Sequence, residues 1–141
     1  MTLEWGQPKS PSGYVMAVLK PLGFLVTPEY ADGDAPCFKI TDIPGGKSDR
    51  ISLNALVQVE SLATDSATAN GRATAFRMAW DADHALMSMN DWDEVTLPDG
   101  SVASATLPDE GHMPPAWHEF RDPLIKAYVA RYALDIRFTY P

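Results

Sequence analysis

The side chains of this sequence with the widest chemical reach are three histidines, one cysteine and a run of carboxylates. His112 and His118 lie in one proline-broken stretch, with Glu110 and Glu119 close by. A His/Glu set can hold a metal ion or move protons. These residues, however, lack the i, i+4 spacing that puts two ligands on one helical face. His84 stands near Asp81 and Asp83 on a helical pattern. A metal there needs three or four converging ligands with outer-shell support, and the spacing supplies none; a helix-edge histidine is the ordinary reading. Cys37 opens a strand after a proline, with no local base or helix N-terminus to lower its pKa, so it reads as a small buried hydrophobe. Asp81, Asp83, Asp91, Asp93 and Glu94 cluster, but MNDWDEV lacks the glycine turn of a calcium loop and reads as a solvated acidic patch. Gly45-Gly46-Lys47-Ser48 ends like a phosphate loop, yet no glycine opens the motif and a strand follows it where a helix is required. No nucleophile elbow or dinucleotide fingerprint occurs. The residues thus predict no catalytic, metal or cofactor site, and a protein that is not an enzyme.

The elements that position these residues follow from periodicity and turn chemistry. Ser10-Pro11 reads as an N-cap with proline at the first helical position. A short helix then runs to about Lys20, with Tyr14, Val15, Val18 and Leu19 on one stripe, stopped by Pro21 and Gly23. Residues 24–27 and 37–43 read as strands, separated by a turn-rich loop over 30–36. Residues 44–50 read as a loop. Residues 51–62 alternate: Ile51, Leu53, Ala55, Val57 and Val59 face one way, and Ser52, Asn54, Gln58 and Glu60 the other, with Leu56 the exception. That pattern predicts antiparallel pairing with the preceding strand.

A long helix is expected from Asp65 to about Met89. Ala69, Ala75, Phe76, Ala79, Trp80, Leu86 and Met87 fall in its apolar sector, while Arg72 and Asp83 intrude on it. Arg72 can snorkel along its stem; Asp83 requires a bend or a second polar surface. Residues 94–97, the turn at 98–100 and residues 101–107 predict a hairpin. Residues 108–123, broken by Pro114, Pro115 and Pro123, read as a long irregular loop of the kind that is usually functional or partner-facing. Residues 125–140 alternate over a length beyond what one small core requires, so part of this strand is expected to project toward a neighbouring subunit. The order helix, three strands, helix, three strands predicts an α+β fold, with a mainly antiparallel or mixed sheet and two helices packed on one face.

Length and composition bound the function. The chain has 141 residues, 45% of them hydrophobic. This predicts a single domain over residues 11–141, preceded by an N-terminal arm over residues 1–10 anchored by Trp5. Eleven basic and nineteen acidic residues give a net charge of −8, which argues against a protein that coats phosphates. A single cysteine excludes an intramolecular disulfide. No apolar run approaches a membrane span, and MTLEWGQPKSPSGYV has no signal-peptide pattern, so a reducing aqueous compartment and no membrane partner are expected.

Three stretches together resemble the tail-terminator proteins of long-tailed, non-contractile bacteriophages. The first is the short N-terminal helix leading through PLGFLV into a strand. The second is CFKITDIPGGKSDRISLNALVQVESLA followed by an alanine-rich helix; Gly45, Gly46, Asp49 and Arg50 match the family's Gly-Gly-x-x-Asp-Arg turn. The third is PPAWHEFRDPLIKAYVARYALDIRF, where Pro115, Trp117, Phe120, Asp122, Pro123, Tyr128, Tyr132 and Arg137 stand in the family's places. The stretch DEGHMPPAW departs from the family pattern in its charge and proline content.

The resemblance implies a structural virion protein made in the host cytoplasm and located at the tail–neck junction. Its copies form a homo-oligomeric ring, commonly a hexamer, that caps the tube of the major tail protein, ends its polymerisation and presents a surface to the head-completion or neck protein. Such a ring closes when one heterologous contact repeats, so each subunit needs two different patches. The loops at 44–50 and 108–123 are expected to supply them. Gly45, Gly46, Asp49, Arg50, Trp117, Phe120, Arg131 and Arg137 are the candidate interface residues, with the two aromatics as anchors. Arg50, Arg131 and Arg137 are placed to pair with Asp91, Asp93 or Glu94 of a neighbour. Genomic DNA passes the lumen without specific binding, so acidic side chains are expected to outnumber basic ones there. The alternatives are a head–tail stopper or adaptor neck protein, a monomeric accessory adaptor, and a small cytosolic enzyme built on His112, His118 and Glu119.

Overall fold

The computed structural model describes residues 11–31, 33–48, 52–89, 93–97, 100–109, 111–120 and 122–139. The first helix, α1 (Pro11–Leu19), buries Ser12, Tyr14, Val15 and Leu19. A single 3-10 turn follows over Lys20–Leu22 and ends at Gly23, whose φ of 90° suits a residue without a Cβ. Strand β1 (Leu25–Thr27) pairs in parallel with β2 (Cys37–Ser48), which pairs antiparallel with β3 (Ser52–Thr64). The expected loop over 44–50 is therefore strand as far as Ser48, with an irregular register between Ile43 and Lys47 where Gly45 and Gly46 lie. Asp49 and Arg50 lie outside the described residues, as do the 1–10 arm and Ser10.

The long helix α2 spans Gly71–Met87, starting six residues later than the sequence pattern predicts. Two side chains fix the start: the Asn70 side chain accepts from the Ala73 N–H, and Asp65 Oδ1 accepts from the Gly71 N–H at 2.7 Å. These satisfy amide groups that a helix beginning at Asp65 would have left to the backbone.

Four strands follow α2, one more than expected. They are β4 (Val95–Thr96), β5 (Val102–Thr106), β6 (Met113–Glu119) and β7 (Ile125–Thr139). The sheet order is β1-β2-β3-β7-β5-β4, with β6 also on β7. The segment expected to be irregular over 108–123 thus contains β6. Its two prolines fall in the register shift between Met113 and Ala116, and β6 pairs with β7 on one side only, so their missing N–H groups break no ladder. The expected projection of β7 toward a neighbour is also replaced by pairing within the chain. One edge carries β3 along its length, and the other carries β6 at 126–131 and β5 at 135–139.

The helices share one face of the sheet. There Tyr14, Val15 and Leu19 of α1 and Ala75, Met78, Ala82 and Leu86 of α2 pack on Phe38, Ile40, Val57, Val59, Ala130, Tyr132, Leu134 and Ile136. The alternation expected of β3 and β7 holds on this face. A smaller cluster of Cys37, Leu62, Ile125 and Ala127 lies apart from this core, backed by Tyr30 and Phe120. In α2 the buried residues are Gly71, Ala75, Met78, Ala79, Ala82, Asp83 and Leu86, with Phe76 and Trp80 exposed and Ala69 exposed ahead of the helix. The expected apolar sector is thus rotated, because small alanines let the helix lie close to the sheet and bulky rings on that line would hold it off. Among the described residues no helix is long and apolar enough to cross a membrane.

Gly71 makes a close approach to the end of β3. A Cβ there would lie 2.6 Å from the carbonyl carbon of Thr64, a backbone atom that cannot swing away. Gly71→Ala is expected to destabilise the protein by about 1–3 kcal/mol through overpacking, against the gain of about 1 kcal/mol that helix propensity alone predicts. Urea unfolding of the two proteins checks the sign.

Candidate functional site

Asp83, the carboxylate that intruded on the helical stripe, meets a polar surface of its own. Its Oδ1 accepts from the Tyr132 hydroxyl at 2.9 Å and lies 2.7 Å from His112 Nε2. The His112 ring stacks on Tyr132 with centroids 5.3 Å apart. A carboxylate only accepts, so the His112 tautomer that fits carries its proton on Nε2. The three residues come from α2, β7 and the connection into β6. Gly111, with a φ of 87°, precedes His112 and lies against β7 at Ala133; a Cβ on it would stand 3.0 Å from that alanine's own Cβ. Burial, with the Asp83 charge and hydrogen bond added, holds the Tyr132 hydroxyl far above the usual phenol range. The trio fastens helix to sheet and holds Tyr132 in its neutral form.

Beside this lock an aromatic ridge crosses three elements. Trp80 and Phe76 of α2 stand with ring centroids 6.3 Å apart, Phe76 meets Tyr128 of β7 edge-on at 5.5 Å, and Tyr128 meets Trp117 of β6 at 5.6 Å. The Arg72 guanidinium lies 4.3 Å from the centre of a Trp117 ring, and its Nε donates to the Tyr128 hydroxyl at 3.5 Å. Phe76, Trp80 and Trp117 are 50%, 41% and 38% exposed. A cleft of about 680 Å³ runs along the helix side of the ridge, with Arg72, Arg77 and Asp81 on its walls. Contiguous exposed aromatics with an arginine laid over them have the composition of a protein-docking surface.

The residues singled out from sequence are distributed as follows. Trp117 belongs to the ridge. Phe120 packs on Tyr30, centroids 5.9 Å apart, over the smaller apolar cluster. Arg131 is exposed on the other face of the sheet, where its Nε donates to Gln58 Oε1; Gln58 Nε2 donates to Glu60, and Lys39 pairs with Glu60 at 3.7 Å. Arg137 is exposed on β7. Gly45 and Gly46 lie in β2, away from these. His112 and His118 do not meet, since His118 lines a cleft with Lys39, Thr41, Glu60 and Phe120, and Glu119 is exposed beside it. His84 is exposed. Cys37 is fully buried, and burial, with Asp34 and Glu60 adding to it, pushes its thiol up to about 11. Among the described residues no three His, Cys, Asp or Glu side chains stand together as a metal set.

Sequence reasoning missed Tyr128 and Arg72 as parts of a surface and placed Phe76 and Trp80 in the core. The available signal was the i, i+4, i+8 spacing of Arg72, Phe76 and Trp80, a stripe of its own beside the alanine line. The sequence matches no protein-family model and no curated protein.

Two outcomes test this description. Asp83→Ala leaves the Tyr132 hydroxyl and His112 Nε2 without their acceptor and is expected to cost about 1–3 kcal/mol in urea unfolding. Tyr14, pushed up to about 12 chiefly by burial, and Tyr132, higher still, are expected to stay neutral when the folded protein is titrated by absorbance through pH 11. Their raised folded values mean stability is fully present below the unfolded phenol pKa of about 10 and falls as pH rises above it. Alkaline unfolding curves check that sign.

Proposed function

We propose that the protein is a structural subunit that docks copies of itself into a ring, and that the ring terminates the tail tube of a long-tailed, non-contractile bacteriophage. The observation that carries the docking reading is the exposed ridge of Trp80, Phe76, Tyr128, Trp117 and Arg72. Aromatic and arginine side chains dominate interface energetics once water is excluded from them. The assignment to a tail terminator adds the sequence resemblance: the PLGFLV strand entry, the Gly-Gly-x-x-Asp-Arg turn and the Trp117-to-Arg137 segment.

In this reading the ring meets the major tail tube protein on one side and the head-completion or neck protein on the other. It sits at the tail–neck junction of the virion, and genomic DNA passes through without specific binding. The charge of −8 suits such a lumen, because a lining of carboxylates repels phosphate. The enzyme alternative needs His112, His118 and Glu119 to converge, and His112 is committed to Asp83 and Tyr132 on the helix side.

The test adds the purified protein to polymerising tube protein from the same genome and images the product by negative-stain electron microscopy. Rings on tube ends and an arrest of tube growth are expected. Tubes that lengthen unchanged and carry no rings would overturn the reading.

A further inference from the structure

A groove of about 620 Å³ runs along α1. Gly13, Met16, Ala17 and Lys20 line it at i, i+3, i+4 and i+7, so it follows the helix from its first turn to just past its last, about 10 Å. Residues 24–26 at β1 form a second wall, and residues 96–97 at β4 a third. Neighbouring side chains of a strand point to opposite faces, so a groove that touches three in a row meets β1 edge-on. That edge is free among the described residues, because β1 ends the sheet order. Leu25 is 49% exposed there. An apolar floor beside an unpaired strand edge suits an extended segment of chain.

The place where α1 begins decides which segment reaches the groove. Ser12 holds that end of the helix on β2: its N–H donates to Asp42 Oδ1 at 3.0 Å and its hydroxyl to Asp42 Oδ2 at 3.2 Å. Leu25 pairs with Cys37, five residues back from Asp42 along β2, or about 17 Å. An extended chain covers that distance in about five residues, and the fifth residue back from Ser10 is Trp5.

We propose that residues 3–9 lie in this groove as an extended segment parallel to β1, with Trp5 against Leu25 and Met16. Leu3 and Trp5 share one face of such a segment and turn to the apolar floor. Glu4, on the other face, comes to the rim where Lys20 is exposed. On the same count Gln7 comes level with Thr27, so Pro8 falls beyond β1 and breaks no ladder. The tether holds the segment beside its groove at millimolar effective concentration, ahead of any free partner. The contact is independent of the tail reading.

Two variants of the whole chain test it. Leu25→Glu alters a half-exposed side chain and Trp5→Ala one that precedes α1; circular dichroism checks that both fold. In the unaltered protein the Trp5 indole is expected to give nuclear Overhauser contacts to the Met16 and Leu25 methyl groups, and β1 amides on the free edge are expected to exchange slowly with solvent. Leu25→Glu is expected to lose the Met16 contact. Both variants are expected to exchange those amides at least about tenfold faster, the factor that one large apolar contact supplies. Missing contacts in the unaltered protein, or exchange that neither variant alters, overturn the inference. Slow exchange that dilution abolishes marks a second copy in the groove and overturns it too.

Discussion

Strand β7 is the constraint on which the rest of the structure depends. Its fifteen residues are long enough to hold β3 along one edge and two separate strands, β6 and β5, along the other. Between those two, on the same edge, Gly111 lies against β7, where the absence of a side chain allows the approach to Ala133. The next residue, His112, stacks on Tyr132 and meets Asp83, so the turn that leads from β5 into β6 also supplies the partner that Asp83 needs inside the protein. A buried carboxylate is tolerable only when its oxygens find donors, and here two arrive on one oxygen.

Helix α2 then divides its surface between packing and exposure. Its alanines, with Met78 and Leu86, lie on the sheet and bring the helix axis close. Close approach leaves no room for larger rings on the same line, so Phe76 and Trp80 emerge at the helix flank, where Tyr128 and Trp117 continue them across β7 and β6. A surface of this kind favours association because burying aromatic area against a partner releases it from water. The opposite sheet face has another character. Arg131 donates to Gln58 and Gln58 to Glu60 there, and Lys39 lies 3.7 Å from the other Glu60 oxygen, so this face is polar where the ridge is aromatic.

Two groups with nucleophilic potential, Cys37 and Tyr132, are held in their neutral forms. Cys37 and Tyr132 are buried and their pKa values are raised, which favours thiol and phenol over their anions. Burial is the largest cause in each case, and nearby carboxylates add to it.

The sequence by itself determined the fold class, the alternation of β3 and β7, the antiparallel β2–β3 pair, the stop of α1 at Pro21 and Gly23 and the anomaly of Asp83. Each of these is set by neighbours a few residues away: a two-residue period, a cap, a misplaced charge on a helical stripe. Tertiary structure decided what depends on distant partners. It made strand of Met113–Glu119, because an edge position relieves two prolines of any ladder to break. It set Phe76 and Trp80 outside the core, because the closeness of helix and sheet follows from the residues on both, and no single helical stripe contains that information.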